Sequence, residues 1–380
     1  MAPSRSDKKE KATSPATILE DAETLFAVGN IDEALTLATK ALEETGKGGD
    51  FELRSLNLLG LLHVESGDVD EARSFFEQAV KLDDDGTADE KIGGGPEKFL
   101  FLAELSEEGG QDTVQWFERG AAALRKQIQT LAQMSNRTPE QEMTYEEKQL
   151  KLGGVLCAVA EVYMTDLSWE DDAEQRCETL ITEAMLIAPN SPETLQTVAN
   201  VRISQERADE ARTALKRSMD IWKDLAPEDP AIPAFPTRIA LARLLLETEL
   251  MEEALMVLER LVMDDDESVE AWYLGGWALY IAGEKLREAG KGKDKANGAG
   301  DGAEEGEDDF KATWMSSRRW LAQCLKLYEA QEYEDERLGE HAVELVLDIN
   351  KTIGEPKDGD DEWVDEDDDE EDEEDEEMQG

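Results

Sequence analysis

Histidine and cysteine are scarce in this chain of 380 residues, which contains two histidines and three cysteines. The thiols of Cys157, Cys177 and Cys324 match no zinc-binding or redox spacing. Their odd number, mostly within apolar helical faces, predicts buried free thiols in a reducing compartment. Of the two histidines, His341 has no cysteine or histidine neighbour in the sequence. The sequence therefore predicts no metal site.

Catalytic and membrane signals are also missing from the sequence. There is no phosphate-binding glycine loop, no H-E-x-x-H helix and no G-x-S-x-G turn. No run of about 18 apolar residues is present that could span a bilayer, and the first residues lack the apolar segment of a secretory signal. We expect a protein that is not an enzyme, uses no cofactor and does not enter membranes.

Basic residues are far fewer than acidic ones, 39 against 92, and the formal net charge is -53. This balance disfavours direct binding to nucleic acid and to anionic membranes. It favours a basic partner met by fast, salt-sensitive association, although solubility alone is an alternative explanation. Residues 355–380 contain 18 acidic residues and one lysine, so they contribute -17 and leave -36 for the rest. The body of the chain is therefore acidic in its own right.

A helix–turn–helix pattern recurs along the chain, and its clearest copy spans Gly60 to Asp85. Gly67 allows the left-handed conformation that ends a helix, and Asp68 is predicted to cap the next one. Cys177 and Ala211, which occupy equivalent positions in their copies, are 34 residues apart. Three residues at helical spacing form one small, closely packing face of the second helix: Ala72, Phe76 and Ala79.

A repeat near 34 residues with this pattern of small and aromatic positions resembles the tetratricopeptide family. The resemblance implies an all-α superhelical solenoid of about seven helix pairs with a C-terminal capping helix. It would occupy residues 16–352, between a disordered N-terminus at 1–15 and a disordered acidic tail at 353–380. A proline-rich connector at 226–236 and a disordered insertion in the last repeat at 284–309 are expected within it.

In this family the first helix of each pair lines the concave side of the solenoid, and alignment then selects candidate binding residues. Arg243 falls on this face, but most candidates are acidic, which disfavours a clamp for the C-terminal carboxylate of heat-shock chaperones. Carboxylates beside aromatic rings suit lysine and arginine side chains, while packing against the next repeat is the alternative role for the rings. The candidate client-binding residues are Glu23, Glu65, Glu104, Glu108, Glu161, Asn200, Glu247, Glu270, Tyr273, Trp277 and Tyr280.

This chain combines degenerate repeats and an acidic body with a glycine-rich acidic loop in the last repeat. Its tail contains Asp361-Glu362-Trp363. The combination resembles the fungal dedicated assembly chaperones of large-subunit ribosomal protein four. The resemblance implies a monomer that binds the internal loop of this basic protein as a 1:1 complex in the cytoplasm. It would keep the client soluble and deliver it to nuclear pre-ribosomes. A scaffold subunit of a larger multiprotein complex is the alternative.

Overall fold

The computed structural model describes residues 14–296 and 302–356, and the side chains of residues 14–289 and 309–356. Regular secondary structure in these ranges is entirely helical, with fifteen α-helices and one 3₁₀ turn at Glu90–Ile92. The chain divides within the ninth helix into two compact units, one ending at Thr197 and the other beginning at Val198.

The first unit contains four helix pairs and the beginning of a fifth. Neighbouring helices pack in chain order, α1 on α2, α2 on α3, and so on to α8. Their bounds are α1 Pro15–Ala27, α2 Ile31–Thr45, α3 Glu52–Glu65, α4 Val69–Leu82, α5 Glu97–Glu104, α6 Gly110–Ala132, α7 Pro139–Met164, α8 Ala173–Ile187 and α9 Pro192–Ser204.

Small residues at helical spacing let the paired helices approach closely. In the second pair Gly60 faces Phe76, and a Cβ at position 60 would lie 2.7 Å from the phenyl ring. Gly67 has a positive φ of 77° and ends α3 as predicted. Asp68 occupies the position before α4, but its side chain makes no capping hydrogen bond. Its carboxylate instead lies 3.5 Å from Nδ1 of His63, so the predicted cap is wrong.

A buried ion pair fixes the acidic, glycine-rich loop that joins α4 to α5. The Lys98 ammonium donates to Oδ2 of Asp83 at 2.7 Å, and both side chains are almost fully buried. The same carboxylate accepts hydrogen bonds from the backbone N–H groups of Thr87, Ala88 and Gly95. Because every one of these donors lies within or directly after the loop, the pair holds it against α5.

The second unit contains the end of α9, two complete helix pairs after α10, and one further helix. Trp320 and Leu321 of α14 pack where α13 has Gly275 and Gly276, and a Cβ at position 275 would lie 2.1 Å from the indole. This pair of glycines therefore sets the close approach of the two longest helices. The bounds are α10 Ala208–Asp220, α11 Phe235–Glu247, α12 Met251–Asp264, α13 Val269–Ala296, α14 Gly302–Ala330 and α15 Glu336–Ile353.

The structure corrects several predicted boundaries. Residues 14 and 15 belong to the start of α1, where the Ser14 side chain accepts a hydrogen bond from the N–H of Thr17. Phe235 and Pro236 open α11 and are not part of the proline-rich connector. In the insertion expected at 284–309, the described residues 284–296 and 302–309 are helical, because Ala, Glu and Lys favour extension of α13 and α14. Residues 1–13, 297–301 and 357–380 lie outside the described residues.

Candidate functional site

Glu23 lies in α1 but is already paired with another side chain. The Arg54 guanidinium of α3 donates to both of its carboxylate oxygens, from Nε at 2.8 Å and from Nη2 at 2.6 Å. This geometry satisfies the carboxylate within the protein and raises the pKa of Arg54. A cationic ligand would therefore have to compete with Arg54 for Glu23.

Three of the predicted acidic residues occupy the last position of a first helix. Glu65 ends α3, Glu104 ends α5 and Glu247 ends α11. All three are exposed, and none forms an ion pair with a described residue. A carboxylate at a helix C-terminus meets the negative end of the helix dipole, which is unfavourable by about 0.3–1 kcal/mol. These positions therefore reduce stability but concentrate negative potential that a cation would relieve.

Glu108 and Glu161 occupy different environments from those three. Glu108 lies in the turn between α5 and α6, so its predicted place on a first-helix face is wrong. Glu161 lies one turn before the end of α7, where it accepts a hydrogen bond from the Thr197 hydroxyl at 3.3 Å. Glu161 and Glu104 are both exposed at the surface, but partial desolvation of their carboxylates by the surrounding protein raises the pKa of each. Both carboxylates ionise at some cost in desolvation.

In the second unit, four of the predicted client-binding residues line one cleft of about 610 Å³. The cleft lies between α11, α13 and α15, and Glu247, Tyr273 and Trp277 line it. Glu270 lines it as well, but its carboxylate is paired with the Arg243 guanidinium. Glu247 is therefore the predicted carboxylate that this cleft presents unpaired beside an indole ring.

The three predicted aromatic residues of α13 all contact α15. The Tyr273 hydroxyl lies 2.7 Å from Nδ1 of His341, and the Trp277 ring meets the same imidazole edge-on at 5.9 Å. The Tyr280 hydroxyl donates to Asp348 at 2.7 Å, and its ring stacks on Trp314. Tyr280 is not among the residues that line the cleft. Both tyrosines therefore pack against the next element, which is the alternative role considered for these rings. Of the three predicted rings, Trp277 makes no hydrogen bond to α15.

Asn200 lies half-buried in α9 and is not among the residues that line this cleft. Conversely, the cleft includes Asp335 and Arg337 from the start of α15, which sequence reasoning missed. The sequence predicts that helix as a cap, and its amphipathic pattern does not indicate that its first turn faces α11.

A second cleft, of about 530 Å³, lies in the first unit and was also missed. Leu61, Phe76 and Phe101 give it an apolar floor. Its rim is charged, and two of its ion pairs are internal: Lys148 pairs with Glu90, and Lys151 pairs with Glu97 at 2.6 Å. These partners are more than 50 residues apart in the chain, so no local sequence signal could have found them.

Comparison with known proteins identifies the relatives of this chain. A tetratricopeptide repeat model matches residues 16–85. A protein of Emericella nidulans named "Probable assembly chaperone of rpl4" is 47% identical over 354 residues, which are 93% of this chain and 86% of the relative. A protein of Schizosaccharomyces pombe with the same name is 31% identical over 325 residues, covering 85% and 87% of the two chains. This chain belongs to their family.

A solved structure agrees with this family assignment. The structure of "Assembly Chaperone of RpL4 (Acl4)", residues 1-338, is 56% identical and superimposes with a TM-score of 0.69. It covers 73% of this chain and 99% of its own. The prediction of an all-α tetratricopeptide-repeat solenoid is confirmed, with seven helix pairs and α15 after them among the described residues.

Three further findings concern the described part of the chain: its cysteines, its membrane propensity and its capacity to bind a metal ion. All three cysteines are free and buried, as predicted, and burial raises the pKa of the Cys324 thiol to about 12. In the same residues, no helix is long and apolar enough to cross a bilayer, and no group of three His, Cys, Asp or Glu side chains could hold a metal ion.

Proposed function

We propose that this chain is a dedicated assembly chaperone that binds newly made rpl4, a basic protein of the large ribosomal subunit, through its internal loop. It keeps the client soluble as a 1:1 complex and delivers it from the cytoplasm to nuclear pre-ribosomes. The relative of Emericella nidulans named for this role supports the identity of the client. The net charge of -53 supports recognition of a basic segment.

One structural observation carries the proposal. Glu65, Glu104 and Glu247 each end a first helix without an ion-pair partner among the described residues. Placement at the negative end of a helix opposes stability, so the positions make physical sense as sites for an external cation. A lysine or arginine side chain of the client would neutralise both the carboxylate and the terminal carbonyl groups of the helix.

The cleft of the second unit adds a place for one such side chain. Glu247 offers an unpaired carboxylate there, and Trp277 lines the same cleft, so its indole could pack on the aliphatic stem and charge of an arginine. Arg243 and Glu270, which form an ion pair with each other, also line the cleft. A bound arginine would therefore contact Glu247 and Trp277 without displacing an existing partner.

Release of the client follows from the same charges. Ribosomal RNA carries a denser array of negative charge than the chaperone surface, so it competes for the basic loop. The acidic chaperone itself is repelled by RNA and does not accompany the client onto it. Delivery in the nucleus is then a transfer of one cationic segment between two anionic surfaces.

A reconstitution with purified components tests this proposal. The chain is co-expressed with full rpl4 and, separately, with rpl4 lacking its internal loop, and complexes are measured by size-exclusion chromatography with light scattering. We expect a 1:1 complex with the full client, none with the deleted client, and at least tenfold weaker binding when salt rises from 0.1 to 0.5 M.

Two results would contradict the proposal. Salt-independent binding would rule out electrostatic capture, and equal binding of the loop-deleted client would move recognition elsewhere. A tagged pull-down in which a fixed set of non-ribosomal proteins replaces rpl4 would instead support the scaffold alternative.

A further inference from the structure

The last helix of the described chain breaks the pairing pattern of the repeats. Helices α1 to α14 form seven pairs, and α15 follows as the first helix of an eighth pair. It packs on α14 and α13 as earlier first helices pack on the preceding pair. Within residues 14–356 no second helix follows it, so one face of α15 is left without the helix that would cover it.

That face forms a groove with α14. The groove has a volume of about 840 Å³ and an apolar lining from Leu325 and Tyr328 of α14 and Val343 of α15. Gly339 forms part of its floor, where a Cβ would lie 2.7 Å from the Tyr328 ring, so the two helices are in close contact there. Val343 is 44% exposed, and Leu347, one turn further along α15, is 60% exposed. Apolar side chains of this size, spaced at i and i+4, match the face of another helix.

Charge defines what this groove can accept. Four glutamates line it, and none of them forms an ion pair with a described residue, unlike Glu23 and Glu270 in the candidate site. Carboxylates around an apolar strip are complementary to an amphipathic helix whose apolar stripe is flanked by lysine or arginine. The four residues are Glu329, Glu336, Glu340 and Glu344.

We propose that the groove between α14 and α15 binds a basic amphipathic α-helix of another protein, which takes the place of the second helix of the eighth pair. From residue 339 to residue 347 the apolar strip is about 12 Å long at 1.5 Å per residue, so it accommodates two to three turns of the bound helix. The chain's own tail is a poor occupant, because residues 365–377 are all acidic and would be repelled by the four glutamates. The groove shares no lining residue with the cleft of Glu247 and Trp277, so this inference does not depend on capture of rpl4.

A designed peptide serves as the probe. It is a fluorescein-labelled helix with leucine at i, i+4, i+7 and i+11 and lysines beside them, and a scrambled peptide of the same composition is its control. Fluorescence anisotropy in 0.15 M salt is measured with the full chain. We expect the helical peptide to bind at least tenfold more tightly than the scrambled one. The double variant V343S/L347S is expected to abolish that difference, whereas M263S, at a still more exposed apolar residue in α12, leaves it unchanged.

Each other result overturns the assignment. Equal binding of the two peptides would mean that net charge alone attracts them. An unchanged preference in V343S/L347S, with its helical content intact by circular dichroism, would place the peptide elsewhere. If the chain truncated after residue 356 binds the helical peptide more than tenfold tighter than the full chain, the tail, with Trp363 and Val364, is the natural occupant.

Discussion

The Lys98 ammonium and the Asp83 carboxylate meet at 2.7 Å in the interior of the first unit, where both side chains are almost completely buried. Burial alone would raise the pKa of Asp83. The hydrogen bond from Lys98 and those from the backbone N–H groups of Ala88 and Gly95 outweigh it, and they hold the pKa below the ordinary 3.8. The folded state therefore favours the ionised carboxylate.

We expect Asp83→Asn to lower the free energy of unfolding by about 3–5 kcal/mol at pH 7, because it leaves the Lys98 charge buried without its counterion. The pair stabilises the fold fully above pH 3.8 and loses its contribution as the pH falls below that value through the lowered pKa. The difference between the variant and the natural chain should therefore shrink below pH 3.8 in denaturant titrations. Asp84→Asn, at the exposed neighbouring position, is the matched control and should change little at any pH.

Substitution of either Glu161 or Glu104 should leave stability equal or higher but weaken client binding. Partial desolvation raises the pKa of each carboxylate, so its ionised form opposes folding at neutral pH, and this cost disappears as the pH falls through the raised pKa. Glu161→Gln and Glu104→Gln should therefore unfold at the same or a higher temperature at pH 7. Each should also weaken binding of the rpl4 loop by about 1 kcal/mol, roughly fivefold, because a ligand for a cation is lost. A lower melting temperature together with unchanged affinity would make these residues structural.

Glu23 should contribute little to client affinity, although it was predicted from the sequence as a contact. Its carboxylate already accepts two hydrogen bonds from Arg54. We expect Glu23→Gln to change the affinity for the rpl4 loop by less than about twofold, whereas Glu247→Gln should weaken it by about fivefold. Isothermal titration calorimetry at 0.15 M salt compares the two variants directly, and a larger loss for Glu23→Gln would reverse this assignment.

The packing of α13 on α14 requires glycine at position 275. A methyl group there would lie 2.1 Å from the Trp320 indole, so Gly275→Ala should destabilise the second unit by about 1–3 kcal/mol through overpacking. Gly154 in α7 has no atom within 4 Å of the equivalent position. Gly154→Ala should therefore stabilise the protein by up to about 1 kcal/mol, because alanine is the better helix former. Thermal melts of the two variants should move in opposite directions.

Deletion of residues 355–380 should change association kinetics more than stability. The segment carries -17 of the net charge and should attract the basic client over a distance of about one Debye length. We expect stopped-flow measurements to show a lower association rate constant that depends less steeply on salt, with a melting temperature within about 2 °C of the full chain. A large drop in melting temperature would mean that the tail packs on the folded body.

Local signals in the sequence were sufficient for the helices and their pairing. The turn at Gly67, with its positive φ, and the small face of α4 are each decided within a few residues. The structure has both where the pattern predicted them. Disorder was predicted wrongly for residues 284–296 and 302–309, because the glycine and charge content of the insertion indicated it. Its alanine, glutamate and lysine content instead extends two helices that already pack together.

The chain's composition and repeat spacing by themselves determined an acidic all-helical repeat protein, because net charge and helical periodicity are properties of the sequence. Only the tertiary structure decided which carboxylates are available to a ligand. Arg54 pairs with Glu23 across 31 positions, and Arg243 pairs with Glu270 between two helices, while Glu65 and Glu247 have no such partner. Whether an acidic side chain is neutralised depends on distances between residues far apart in the chain, and these are set by how the helices stack.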